Sequence, residues 1–179
     1  STSNQPNHYE KWCQPSFTNE LEATYVRGII DALIEHCNEH GAKDESISVA
    51  VITPYAEQGS LIRSKLKGVF GNSGNVLILQ EDVASVDKFQ GGERDVVIAS
   101  FVRSPRPKGY APKLTFVQDL KRMNVAFSRP RKMLILVGDI EALSTQLGSE
   151  DGRRAFESFH RVVRESGLEI LAWERKVSA

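Results

Sequence analysis

The 179-residue sequence predicts an α/β domain in which helices cover both faces of a mostly parallel central sheet. Segments with strand character alternate along the chain with segments of helical periodicity. Several strand segments are continuous apolar runs, the strongest at residues 96–102, as is typical of strands buried on both faces. A chain of this length can also bury a sizeable core as a single domain.

The chain is predicted to begin with a lead-in followed by a long helix. Residues 1–15 are polar, contain two prolines and have no periodicity, so we expect an extended lead-in or linker without a strand of its own. The domain itself is expected to cover residues 16–179. From Asn19 onward apolar residues recur at helical spacing, and Gly41 supplies a stop.

The middle of the chain is predicted to form strands around a second helix. Residues 47–52 are a short β-branched run, and Thr53 with Pro54 resembles an N-cap followed by proline at the first helical position. Short strands are expected at 76–79 and 83–86. The remaining predicted elements are a loop over 104–113, a helix over 120–128, a strand over 133–137, a short helix over 140–147, a last helix around 155–163 and a last strand over 168–173.

Composition excludes several function classes. Lys plus Arg and Asp plus Glu both number 23, which argues against a tail-like or histone-like nucleic-acid binder but allows a locally positive groove. Cys13 and Cys37 lack metal-ligand spacing, as do the four histidines, so we expect reduced thiols and no metal site. No run approaches the roughly 18 apolar residues of a membrane span, and no signal peptide opens the chain. The sequence therefore predicts a soluble intracellular protein, cytoplasmic or, in a eukaryote, nuclear.

A polar turn over residues 87–95 separates two apolar strand segments and is the most informative stretch of the chain. Gly91 and Gly92 allow the backbone to approach a ligand closely or to adopt positive φ. Gln90 and Glu93 place an amide and a carboxylate about one turn apart. The turn is predicted to face a nucleotide beside the sheet, although a plain strand connection with a charged tip also fits these residues.

The segment that follows the strand at 47–52 is a second candidate site. A helix that starts after a strand presents free amides and a partial positive charge, which suit a phosphate, and Thr53 adds a hydroxyl. An ordinary helix cap with Gln58 in solvent is the alternative. Because the Thr53 turn, the Gln90 turn and the loop from Ser104 all follow strands, several of them can lie at one edge of the sheet.

A third candidate site is rich in arginine and spans residues 119–131. Arg122 and Arg129 are seven residues apart and share a helix face, whereas Arg131 lies beyond Pro130 and must point by another route. A guanidinium offers a fixed fork of donors that suits phosphate oxygens. The alternative is that these arginines complement the dipole at the end of a helix.

The combination and order of these segments resemble motifs IV, V and VI of superfamily 1 helicases. The similarity is to the Upf-like branch, which includes the RNA helicase of nonsense-mediated decay and its DNA-replication relatives. The matching segments are Thr53-Pro54-Tyr55 with Gln58, then Asp87, Phe89-Gln90-Gly91, Glu93 and Asp95, then 122–131 (RMNVAFSRPR), and upstream Ser16–Thr18 with Asn19, Glu22 and Ala23.

The resemblance implies that the chain is the second, C-terminal RecA-like motor domain, a three-layer α/β sandwich with a mostly parallel sheet. ATP would then lie in the cleft between two such domains, and Arg129 would act as an arginine finger on its γ-phosphate. The implied catalytic residues are Arg129, Arg122 and Gln90, and the implied nucleotide-binding residues are Gly91, Glu93 and Arg131.

The resemblance also implies partners. A single strand of DNA or RNA would contact Thr53, Pro54, Ser85 and Arg103, and ATP with Mg²⁺ would be held mainly by a first RecA-like domain of the same chain. The sequence contains no GxxxxGK[ST] phosphate loop, so we expect no ATP hydrolysis by these 179 residues alone. A hydrolysis-deficient RecA-like module that binds nucleic acid or a protein partner is the alternative function.

Overall fold

A computed structural model describes most of the predicted sheet and its first two helices. The described residues are 11–13, 16–40, 46–86, 88–89, 92–103, 124, 126–139, 150, 154, 157–158, 160–161 and 165. Of the predicted site residues, Gln90, Gly91 and Arg122 lie outside this part of the chain, as do the loop over 104–113, the short helix over 140–147 and the last strand.

The described elements alternate as expected for an α/β domain. In chain order they are β1 (Lys11–Cys13), β2 (Ser16–Thr18), α1 (Glu20–His40), β3 (Ile47–Thr53), α2 (Ala56–Lys65), β4 (Gly71–Ser73), β5 (Val76–Ile78), a 3₁₀ turn (Gln80–Asp82), β6 (Val83–Ser85), β7 (Arg94–Ser100) and β8 (Pro130–Val137).

The main sheet has the order β4-β5-β3-β7-β8, and β6 pairs with β3 on the same side as β5. All its pairings are parallel except that of β4 with β5, which is a tight antiparallel hairpin. The central register aligns Val51 with Ile98, and Ile98 with Ile135. The predicted RecA-like α/β class with a mostly parallel sheet is confirmed.

Apolar side chains cover both faces of this sheet, because successive residues of a strand point to opposite faces. Val49 and Val51 of β3 pack with α1 and α2 on one face. Ala50 and Ile52 pack on the other face with Val97, with Val86 and Phe89 of the connection after β6, and with Ala126. Continuous apolar runs such as β7 arise because both faces are buried.

Several element boundaries differ by a few residues from the prediction, and two of them matter for the site. Thr53 stays in β3 because it pairs with Ser85, so α2 starts only at Ala56 with Tyr55 as its N-cap. The expectation that Thr53 caps the helix was wrong. β8 begins at Pro130, at the first position of a strand, where proline removes no needed donor.

The lead-in also differs from the prediction. Lys11–Cys13 pairs antiparallel with Ser16–Thr18, with Trp12 opposite Phe17, so a short hairpin precedes α1. Periodicity cannot reveal a pairing of three-residue strands, which is set by backbone hydrogen bonds. None of the helices in the described residues is long and apolar enough to cross a membrane. Nor do these residues bring together three or more potential metal ligands.

Candidate functional site

The candidate site residues lie at two opposite edges of the sheet. Thr53 and Ser85 are paired at the carboxyl ends of β3 and β6. Glu93 instead precedes β7 at the amino edge, because β6 and β7 both run parallel to β3 and the connection must return the chain across the sheet. The expectation that these turns share one edge was wrong for Glu93. The segment over residues 87–95, which resembles motif V and is called so below, therefore connects the two edges.

At the amino edge Arg129 lies directly beside the corner formed by Glu93 and Arg94. The N–H of Arg94 donates to the carbonyl of Arg129 at 3.2 Å, and Arg94 is aligned with Pro130 across the β7–β8 pair. Glu93 is exposed and Arg129 is half-buried. The Nε of Arg129 is buried and has no hydrogen-bond partner within the described residues. This donor is unused within the described residues, and it can meet an anion only when the half-buried side chain turns outward.

Arg94 holds this corner in place, a role that the sequence analysis did not assign. Its guanidinium donates to Asp82 at 2.5 Å and to the carbonyl of Glu93 at 2.8 Å, and it lies over the ring of Phe89 at 5.6 Å. Asp82 is only 2% exposed, so this ion pair is largely screened from water. The one available signal was a basic residue at the start of a buried strand.

Arg131 lies in β8 and pairs with a buried acid at the same edge. Its guanidinium is 3.4 Å from both Asp95 and the hydroxyl of Ser48, and its side chain is 53% exposed. Asp95 accepts hydrogen bonds from the N–H of Ser48 at 2.9 Å and from its hydroxyl at 2.7 Å. Arg131 thus has a structural partner beside the predicted nucleotide corner, and it keeps exposed donors.

The contacts of Asp95 make the stability of the domain depend on pH. Burial raises the pKa of Asp95, but hydrogen bonds from Ser48 and the charges of Arg131 and Lys132 outweigh burial, so its pKa lies below the ordinary value of 3.8. Because the folded state then binds fewer protons than the unfolded state, this stabilisation is complete above pH 3.8 and is lost as the pH falls through the folded pKa.

We expect Asp95→Asn to lower the free energy of unfolding at neutral pH, with a difference from wild type that shrinks below about pH 4. Urea unfolding between pH 3 and pH 7 measures this. Glu150→Gln, which removes an exposed ion pair with Arg154, serves as the control. Its free energy of unfolding should show the same dependence on pH as that of wild type. A constant difference between Asp95→Asn and wild type at every pH would contradict the expectation.

At the carboxyl edge the predicted strand-contacting residues differ in accessibility. Pro54 and Ser85 are half-buried, whereas Thr53 is 1% exposed and its hydroxyl accepts the N–H of Tyr55 at 3.5 Å. Arg103 is 2% exposed, and its guanidinium lies 4.1 Å from the centre of the Phe17 ring. In this conformation Pro54 and Ser85 can reach a bound strand, but Thr53 and Arg103 lie beneath the surface.

Beneath this edge a buried polar network joins three distant segments. The Gln58 side chain accepts the N–H of Asn19 at 2.7 Å and donates to its carbonyl at 3.1 Å. It also donates to the hydroxyl of Ser100 at 3.2 Å, and that hydroxyl donates to Glu22 at 2.7 Å. Asn19, Glu22 and Gln58 are all fully buried. Gln58 is therefore not in solvent, contrary to the helix-cap interpretation.

Sequence comparison identifies relatives of the chain. A family described as "AAA domain" matches residues 2–141. The chain is 37% identical over 131 residues to "Putative regulator of nonsense transcripts 1" of Takifugu rubripes, covering 73% of this chain and 11% of that protein.

Two further relatives are proteins of Schizosaccharomyces pombe. "Helicase sen1" is 33% identical over 127 residues, which are 71% of this chain and 7% of that protein. "DNA polymerase alpha-associated DNA helicase A" is 36% identical over 130 residues, which are 73% of this chain and 17% of that protein. The chain thus spans less than a fifth of the length of these relatives.

Proposed function

The chain belongs to this AAA domain family as a RecA-like domain of the Upf-like superfamily 1 helicases, and from that premise we propose that it is the second motor domain of an ATP-dependent helicase. In this role its amino edge contributes an arginine finger to ATP in the cleft between two motor domains. Its carboxyl edge grips the backbone of a single strand.

The position of Arg129 carries the nucleotide part of the proposal. Arg129 is joined to the Glu93 corner through the backbone of Arg94, and its buried Nε has no partner in the described residues. Once the side chain of Arg129 turns outward, its donors fit an anionic phosphate, and the exposed Glu93 suits a sugar hydroxyl. ATP with Mg²⁺, held mainly by a first RecA-like domain, would supply the phosphoryl group for transfer. Arg129 would place positive charge against it when the domains close.

The arrangement of the sheet supports coupling between nucleotide binding at one edge and strand binding at the other. The nucleotide corner and the strand-contacting residues Pro54 and Ser85 lie at opposite ends of the same strands, and motif V runs from one to the other. Because β3, β7 and β8 form a continuous hydrogen-bonded unit, movement at the amino edge carries the carboxyl edge with it. Closure on ATP would then shift the strand relative to the first domain.

The names of the relatives bear on the proposed substrate. They include a regulator of nonsense transcripts and a DNA polymerase α-associated helicase, so the strand proposed for this chain is DNA or RNA. The proposed protein partner is a first RecA-like domain in the same polypeptide. We place the protein inside the cell, where both nucleic acid and ATP occur.

ATP turnover tests this function directly. We expect the 179-residue chain alone to hydrolyse no ATP, because its sequence contains no phosphate loop. The full-length protein should hydrolyse ATP, and single-stranded oligonucleotide should stimulate the rate. Measurement of phosphate release with and without dT₂₀ or U₂₀ checks both statements. Strand binding without any hydrolysis by the full-length protein would instead favour the hydrolysis-deficient module.

A further inference from the structure

The chain turns sharply just after β7, in a backbone conformation that valine rarely adopts. Val102 has a φ of 72°, and positive φ in a β-branched residue is a genuine outlier. The N–H of Arg103 donates to the carbonyl of Phe101 at 2.8 Å. A hydrogen bond across one residue of positive φ defines a rare, strained type of γ-turn. Such strain persists only where surrounding contacts over-determine it.

Two side chains from the start of α1 hold this turn. The carboxylate of Glu22 accepts the N–H of Val102 at 2.9 Å with the same oxygen that accepts the hydroxyl of Ser100. The side-chain amide of Asn19 donates to the carbonyl of Val102 at 3.1 Å. Both polar groups of the Val102 backbone are therefore tied to fully buried side chains.

The turn at Val102 also determines which side chains lie beneath the carboxyl edge. It directs the side chain of Arg103 inward, where the guanidinium packs on the ring of Phe17. Phe17 meets Tyr55 edge to face, with ring centres 5.4 Å apart. Tyr55 immediately follows Pro54, so the turn supports the accessible segment at this edge from below.

We propose that Glu22 is a positioning residue, whose buried carboxylate holds the strained Val102 turn and thereby sets the surface around Pro54 that grips a single strand. The inference rests on the proposed function for the strand itself. Removing the carboxylate leaves the N–H of Val102 and the hydroxyl of Ser100 without their acceptor, and the strained turn then relaxes. The nucleotide corner at the opposite edge is not touched by this change.

The test uses Glu22→Ala in the full-length protein. We expect its Kd for fluorescein-labelled dT₂₀ or U₂₀, measured by anisotropy without nucleotide, to rise about tenfold. The kcat for ATP at saturating strand should stay within about twofold of wild type. Hydrogen exchange of the amides of Val102 and Arg103 should accelerate, whether or not the protein binds a strand.

Two variants separate positioning from general destabilisation. Glycine adopts positive φ without strain, so Val102→Gly added to Glu22→Ala should return the strand Kd to within about threefold of wild type. The double variant should nevertheless be the less stable protein, because the buried valine side chain is lost. Val26→Ala, on the same helix but packed only in the apolar core, should lower stability and leave the strand Kd unchanged.

The outcomes distinguish this inference from the proposed function. An unchanged strand Kd in Glu22→Ala, or a double variant that binds no better than Glu22→Ala, would overturn the positioning role. So would unchanged exchange at Val102 and Arg103. If the exchange accelerates but wild-type protein binds neither oligonucleotide, the turn is held as inferred, and it is the strand-gripping function that fails.

Discussion

Arg129→Ala in the full-length protein is expected to lower ATP turnover by about a thousandfold or more while leaving strand affinity unchanged. Arginine fingers contribute about 10³ to 10⁵ in rate in other nucleotidases, because a positive charge opposes the charge on the transferred phosphoryl group. The affected edge lies across the sheet from Pro54 and Ser85, so the strand grip should be retained. Phosphate release and strand anisotropy on the same preparation measure the two effects.

Two controls accompany this substitution. Lys132→Ala removes an exposed positive charge three residues further along and should leave turnover near wild type. The melting temperature of Arg129→Ala should stay close to that of wild type, because the buried Nε of Arg129 has no hydrogen bond within the described residues for the substitution to remove. Turnover that survives the loss of Arg129 would remove the finger assignment, whatever the strand affinity.

Arg94→Ala is expected to lower the free energy of unfolding of the chain by about 2–3 kcal/mol. The substitution leaves the carboxylate of Asp82 buried without its cation, and an uncompensated buried charge costs far more than an exposed one. The Glu93 corner also loses the bond to its carbonyl and the packing on Phe89. Urea unfolding of the 179-residue chain at pH 7 measures the loss.

A double-mutant cycle shows whether the buried charge is the cause. Asp82→Asn added to Arg94→Ala removes the unpaired charge, so the double variant should be more stable than Arg94→Ala alone. If the double variant loses as much stability as the two single variants together, the ion pair between Arg94 and Asp82 contributes nothing through its charge. Arg94→Lys keeps a cation without the two-pronged geometry and should fall between alanine and wild type.

Much of the fold could be predicted from the chain alone, because burial on both faces of a sheet leaves a direct trace in the sequence. The apolar runs at β3 and β7 and the helical period of α1 identified those elements within one or two residues. Boundaries set by pairing were harder to predict. Thr53 is held in β3 by its alignment with Ser85, and no local propensity records such a partner.

The candidate site, like the fold, could be predicted from the sequence only in part. The resemblance to helicase motifs implied a nucleotide corner with Gln90, Glu93 and Arg129, whereas the residues of each segment alone also fitted a plain strand connection or a helix end. The buried network was missed, and Gln58 was left open as a solvated side chain. Its partners Asn19 and Ser100 lie about forty residues away in either direction. Polar residues at such separations have no periodicity that would identify them as a set.

By itself the sequence determined the α/β class, the parallel strands and the chemical character of the three motifs, since these follow from local composition and spacing. Only the tertiary structure decided that motif V joins two opposite edges, that Arg129 lies beside Glu93 and that Glu22 holds the Val102 turn. Parallel pairing forces each connection back across the sheet, so residues that are close along the chain become distant. Residues far apart in sequence, such as Glu22 and Val102, meet instead.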